Sequence, residues 1–163
     1  GKKKYKDVET EVIEIMEKAT ALQNELLGLV DGDAEVFSKV SDVYKMPKDT
    51  PEQKAARDEA MEVALKQACS VPLKIMKCTC EAIKLQARLA EIGSIMAISD
   101  VGVGVLCLKA ALISGKLNVI INLNGIKDKE FVEKTYREMD ELLESYIKLA
   151  DETYEKVENR LRS

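Results

Sequence analysis

Ser99-Asp100-Val101-Gly102-Val103-Gly104-Val105-Leu106-Cys107-Leu108 runs on through Lys109 and Lys116 to Leu117-Asn118-Val119-Ile120-Ile121-Asn122-Leu123, and the reading of this stretch decides the fold. After Asp100, Lys109 and Lys116 are its only charged residues. Polar side chains in so apolar a segment are buried or line a cleft, and a buried polar group costs free energy unless it is satisfied. Leu117 to Leu123 alone has strand character, but a lone strand would find no partner in this chain. The stretch is therefore read as one helix, with Ser99 as its cap. On that helix Asp100, Gly104, Ala111, Gly115, Asn118 and Asn122 fall near one face, at steps of three, four or seven. Such a face either accepts another helix closely or leaves room for a ligand.

Working outward, two further segments repeat every three to four residues. The first carries Val8, Val12, Ile15, Ala19, Leu22, Leu26, Leu29, Asp33, Val36, Val40 and Val43. A flanking row of Ile13, Met16, Leu27, Val30 and Phe37 predicts a broad buried face. This helix is expected over Lys6 to Tyr44, with a bend or break near Asp31 because Gly28 and Gly32 weaken it. Thr50-Pro51-Glu52-Gln53 is a strong helix start, with a cap, a proline at the first helical position and a capping box. The helix that follows carries Met61, Ala64, Ala68, Val71, Ile75, Cys78, Ala82, Leu85, Leu89 and Ile92. Pro72 inside it predicts a kink. Past Gly125, a C-cap candidate, and Asp128, an N-cap candidate, a last helix carries Val132, Tyr136, Met139, Leu143, Tyr146, Ala150, Tyr154, Val157 and Leu161. Long helices on short loops make an all-α fold, a bundle of long antiparallel helices in a single domain over 1–163. Helices this long leave apolar faces over, so a homodimer is expected.

Composition narrows the function. Aromatic residues are 4% of the 163, which favours helix over sheet. A net charge of −4 argues against nucleic acid as a partner. No apolar run reaches the length of a membrane span on this reading, since Ile95 to Leu108 is broken by Ser99 and Asp100. Neither partner is expected. Cys69, Cys78, Cys80 and Cys107 form no CxxC pair and read as free thiols in the cytoplasm. Cys78 and Cys80 lie about 200° apart around a helix and cannot share a metal. There is no histidine, which excludes His-based triads, Cys-His dyads and the commonest zinc ligand within one chain.

Acid–base work must then fall to Asp, Glu, Lys, Cys or Tyr. Asp33 is the one charged residue in its seam, so it lies at a cleft, pairs with a cation, or turns outward where the helix breaks. Asp100 follows Ser99 at a helix start, where it either caps free amides or offers an acceptor to a ligand. Gly102 and Gly104 make no dinucleotide fingerprint, and tight helix packing explains them better. Asn118 and Asn122 either read the edge of a heterocycle or hold two helices together. Lys2, Lys3, Lys4 and Lys6 are a solvated start or a grip for phosphate or carboxylates.

Leu29-Val30-Asp31-Gly32-Asp33-Ala34-Glu35-Val36-Phe37 resembles the acidic helix motif of the cyclodeaminase/cyclohydrolase family. Met46-Pro47-Lys48-Asp49-Thr50-Pro51-Glu52, Val71-Pro72-Leu73, Ser99-Asp100-Val101-Gly102-Val103 and Asn118-Val119-Ile120-Ile121-Asn122-Leu123 follow in the family's order, and Gly1-Lys2-Lys3-Lys4-Tyr5 is similar to its basic segment. The resemblance implies an all-helical dimeric enzyme acting on a one-carbon unit of tetrahydrofolate. The folate derivative would be the substrate, with no further cofactor and no metal. Cyclodeaminases of the family close 5-formiminotetrahydrofolate to 5,10-methenyltetrahydrofolate and release ammonia; cyclohydrolases interconvert the methenyl form and 10-formyltetrahydrofolate. Asp100 or Asp33 would then be the acid–base residue. Lys2 and Lys3 would hold the glutamate tail or assist proton transfer, and Ser99, Asn118 and Asn122 would contact substrate. The family's upstream glycine-rich segment and first helix are expected to be missing from this chain. The competing expectation is a non-catalytic helical dimerisation module with Asn118 and Asn122 in its seam.

Overall fold

The computed structural model describes the backbone of residues 3–163 and the side chains of residues 5–163. Lys2 lies outside the described residues, and Lys3 enters through its backbone alone. A 3-10 turn, Lys3–Val8, leads into α1 (Glu9–Tyr44). Then come α2 (Pro51–Ile92), a second 3-10 turn at Ile95–Ala97, α3 (Ile98–Leu123) and α4 (Lys129–Arg162). Among the described residues there is no strand, so the Ser99–Leu123 stretch is helical as expected.

The helix starts follow local chemistry. At α2, Thr50 Oγ1 accepts from the Gln53 amide at 3.3 Å, while Gln53 Oε1 accepts from the Thr50 amide at 3.2 Å. At α4, Asp128 Oδ1 accepts from the Phe131 amide at 3.1 Å. Ser99 caps nothing. The chain enters α3 earlier, through the Ile95–Ala97 turn, whose own cap is Ser94, accepting from the Met96 amide at 3.3 Å. Ile98, fully buried, anchors that entry. Gly28 and Gly32 do not break α1; helical hydrogen bonding persists through both.

The helices alternate up and down. α2 is the centre, packing on α1, α3 and α4, and α3 packs on α4 as well. Glu11 near the start of α1 pairs with Arg88 near the end of α2, while Lys77 and Glu138 join α2 to α4 lower down. Ala82, Leu85 and Leu89 of the α2 row read from the sequence line a groove with α1. A second row, Leu65, Cys69, Pro72, Met76, Ile83 and Ala90, is buried more deeply in the α2–α3–α4 core. The two lysines that interrupt α3 reach α4 carboxylates, Lys109 at Asp151 and Lys116 at Asp140.

The glycines of α3 settle one alternative in favour of close packing. A Cβ at Gly102 would stand 2.9 Å from Val157, and one at Gly115 would stand 2.6 Å from Met76.

Two expectations are corrected. α1 makes its extended packing against α2 alone, so its flanking row is exposed rather than buried, from Ile13 at 47% to Phe37 at 71%. And Ile95–Leu123, once continuous, is long and apolar enough to cross a membrane by length and composition. It packs on α2 and α4, with ion pairs to α4, and 28% of its apolar window is buried.

Candidate functional site

α1 begins, α2 ends and α3 begins at the same end of the bundle, and a cavity of about 450 Å3 opens there. Tyr5 and Val8 of the first turn and Val12 of α1 form one wall. Gln86, Leu89 and Ile92 of α2 form the second. The turn at Gly93 and Ser94, with Asp100 and Val101 of α3, closes the third. The volume suits a small organic ligand, and a mostly apolar lining with a few polar groups is what such sites have. Arg160 of α4 braces the turn, its Nη1 donating to the Ala90 carbonyl at 2.6 Å and its Nη2 to the Gly93 carbonyl at 3.0 Å. These carbonyls end α2 and lack intrahelical donors, so a guanidinium completes them.

Two regions far apart in sequence thus line one cavity: Tyr5 and Asp100. Asp100 is exposed on the cavity wall, in the first turn of α3. Ser99, beside it, is exposed and does not line the cavity. Asp33 is exposed near the far end of α1, about 32 Å along the helix from Val12 at 1.5 Å per residue. Asn118 and Asn122 lie about 27 Å and 33 Å along α3 from Asp100 on the same rise. One chain therefore does not gather Asp100, Asp33 and the asparagines around one cavity.

Asn122 has a partner that explains it. Pro72 has no amide hydrogen, so the Ala68 carbonyl, four residues earlier, loses its helical donor. Asn122 Nδ2 donates to that carbonyl at 3.3 Å and to the Asn118 carbonyl at 2.9 Å. The side chain sutures α3 to the gap that proline leaves in α2. Asn118 is exposed.

Gln86 is the residue that sequence reasoning missed. Its Oε1 is buried and has no hydrogen-bond partner among the described residues. An orphaned buried acceptor costs about 1–3 kcal/mol. The signal was present: Gln86 is flanked by Ala82, Ile83, Leu89 and Ala90, so a polar group interrupts an apolar face.

None of the four cysteines lines this cavity. Burial pushes Cys69 up to about 11 and Cys80 up to about 12, and it raises Cys78 as well. Among the described residues no three His, Cys, Asp or Glu side chains come together as metal ligands would.

An up-and-down bundle with a ligand-sized cavity at one end, carrying a carboxylate, a phenol and a buried amide, defines a helical small-molecule domain. The chain matches the family model for formiminotransferase-cyclodeaminase over residues 1–141 and belongs to that family. It is 39% identical over 161 residues to the methenyltetrahydrofolate cyclohydrolase of Methylorubrum extorquens, spanning 99% of this chain and 77% of that protein. It is 30% identical over 144 residues to the formimidoyltransferase-cyclodeaminase of Mus musculus, spanning 88% of this chain but 27% of that protein. The crystal structure of formiminotetrahydrofolate cyclodeaminase from Thermotoga maritima superimposes with a TM-score of 0.76 at 30% identity, covering 99% of this chain and 74% of that one.

Proposed function

We propose that this chain is a folate one-carbon enzyme that opens or closes 5,10-methenyltetrahydrofolate, with Asp100 as its acid–base residue. The observation that carries this reading is Asp100 on the wall of the end cavity that Tyr5, Val8 and Gln86 also line. In the hydrolytic direction, water adds to the methenyl carbon and the Asp100 carboxylate takes the water proton. The C–N bond to N5 then breaks as the hydroxyl becomes the formyl carbonyl: Asp100 delivers the first water proton to N5, and the hydroxyl proton leaves to solvent. In the cyclodeaminase direction, N10 attacks the carbon of the protonated formimino group, Asp100 carries the N10 proton to the formimino nitrogen, and the C–N bond to that nitrogen breaks to release ammonia. A carboxylate serves either path. Of the two, hydrolysis is favoured by the higher identity to a cyclohydrolase, 39% against 30%.

In this reading the ammonium groups of Lys2 and Lys3 would hold the glutamate tail or assist proton transfer. Asp33, Asn118 and Asn122 join it where a second copy lays its far end beside the cavity, while Ser99, next to Asp100, would meet substrate from the same chain; a homodimer is thus part of the proposal. The exposed rows of α1 and α3 supply the apolar area for that contact. Four unpaired cysteines fit a cytoplasmic setting, with folate rather than nucleic acid or membrane as the partner.

Steady-state assay with both substrates, by ammonia release and by loss of methenyl absorbance, tests the proposal. Asp100→Asn is expected to lower kcat about 10²–10⁴-fold while leaving the melting temperature in place. Unchanged turnover would remove Asp100 from the mechanism, and inactivity of the unaltered chain on both substrates would leave the dimerisation module.

A further inference from the structure

The Gln86 amide stands at the junction of two cavities along the α1–α2 groove, one holding Asp100 and the other an apolar slot lined by Ile15, Leu22 and Leu26. Its carbonyl oxygen is buried without a hydrogen-bond partner among the described residues. The fold also makes room for this amide. A Cβ at Gly104 would stand 2.8 Å from Gln86 Nε2, so any larger residue on α3 would displace it. Gly104 lies one helical turn, about 5.4 Å, below Asp100 on the same face. Amide and carboxylate therefore line neighbouring walls of one cavity, about a turn apart along α3. Apolar surroundings do not satisfy the oxygen, and a flexible, uncrowded glutamine would ordinarily turn it to solvent.

We infer that Gln86 is a ligand-reading residue: its buried Oε1 accepts a hydrogen bond from a ring N–H of the bound substrate, placing the reacting carbon within reach of Asp100. The inference rests on the folate reading above. The chemistry that fits is a nitrogen heterocycle with an N–H donor on one edge and an apolar face against Val12 and Leu89, as a reduced pterin has. Gln86 touches the ligand's recognition edge rather than the carbon that reacts, so it sets affinity and orientation. Ligand binding would satisfy an acceptor that the unliganded fold leaves unmet.

The test uses Gln86→Leu and Gln86→Met, which remove the acceptor and keep most of the volume, with 5-formyltetrahydrofolate as the probe in calorimetric titration and thermal melting. Both unliganded variants are expected to melt at or above the temperature of the unaltered chain, because the unmet acceptor is gone. Both should bind the probe about tenfold or more weakly, the loss expected for a hydrogen bond in a desolvated site. Variants that melt normally and bind as tightly as the unaltered chain would overturn the role of Gln86 and leave the cavity reading standing. Variants that melt lower and lose binding in proportion would make Gln86 a structural residue and overturn the inference. An unaltered chain that takes up no probe would remove the folate reading and the inference together.

Discussion

Gly115 of α3 is buried against Met76 of α2, which is itself fully enclosed. An alanine there has no direction in which to push its neighbour. Gly115→Ala is expected to cost about 1–3 kcal/mol of stability, measured by urea unfolding. Gly28 is the contrast: nothing lies within 4 Å of the position its Cβ would take. Gly28→Ala is expected to stabilise by up to about 1 kcal/mol in the same assay, through helix propensity alone. Spacing in the sequence placed Gly104 and Gly115 on one face but did not name their neighbours. One makes room for an amide and the other for a thioether, a difference that exists only once α2 is in position. Asp100 was legible because a carboxylate at the head of an apolar run needs a reason. Gln86 carries the same kind of signal, but a single polar residue on a long helix is ordinarily solvated, and only its burial gives it meaning.

Between elements, the clearest device is the suture of α3 to α2 by Asn122. Removing the amide should leave the Ala68 carbonyl unpaired in a half-buried seam, so Asn122→Leu is expected to cost about 1–3 kcal/mol. Pro72→Ala restores the amide hydrogen that the carbonyl lacks. In that background the cost of Asn122→Leu should fall, and a double-mutant cycle on unfolding free energies measures the coupling. A coupling near zero would separate the two residues. The sequence showed the proline and the asparagine as separate oddities, one a kink and the other a candidate ligand contact. Fifty residues separate Pro72 from Asn122, and only the packing of α3 on α2 pairs them. Caps behave differently: Thr50 with Gln53, and Asp128 with Phe131, act within four residues and were readable outright.

For the whole molecule, the long helices and their up-and-down order were legible, because period and caps are local properties. Which faces remain uncovered was not, since a periodic row looks the same whether it meets its own chain or another. Val30, Phe37, Leu117 and Ile121 are each more than 60% exposed. If a second copy covers them, the protein should sediment near twice 18.1 kDa at micromolar concentration. Phe37→Glu combined with Ile121→Glu should shift it to the single-chain mass without loss of helix. Single-chain mass for the unaltered protein would sink the homodimer, and with it any role for Asp33 beside the cavity.

α1 has one further consequence. It is held on one side, by an apolar row on α2 and by exposed pairs of Glu11 with Arg88 and Glu25 with Lys74. Pairs of this kind are weak and are screened by salt. A helix so attached is the unit that opens first, at a fraction of the free energy of global unfolding. Since Val8 and Val12 form one wall of the cavity, ligand entry and the detachment of α1 draw on the same motion. Backbone amides of the first turns of α1 should then exchange with deuterium faster as ionic strength rises, and slow again when the cavity fills, while those of α2 hold their rates throughout.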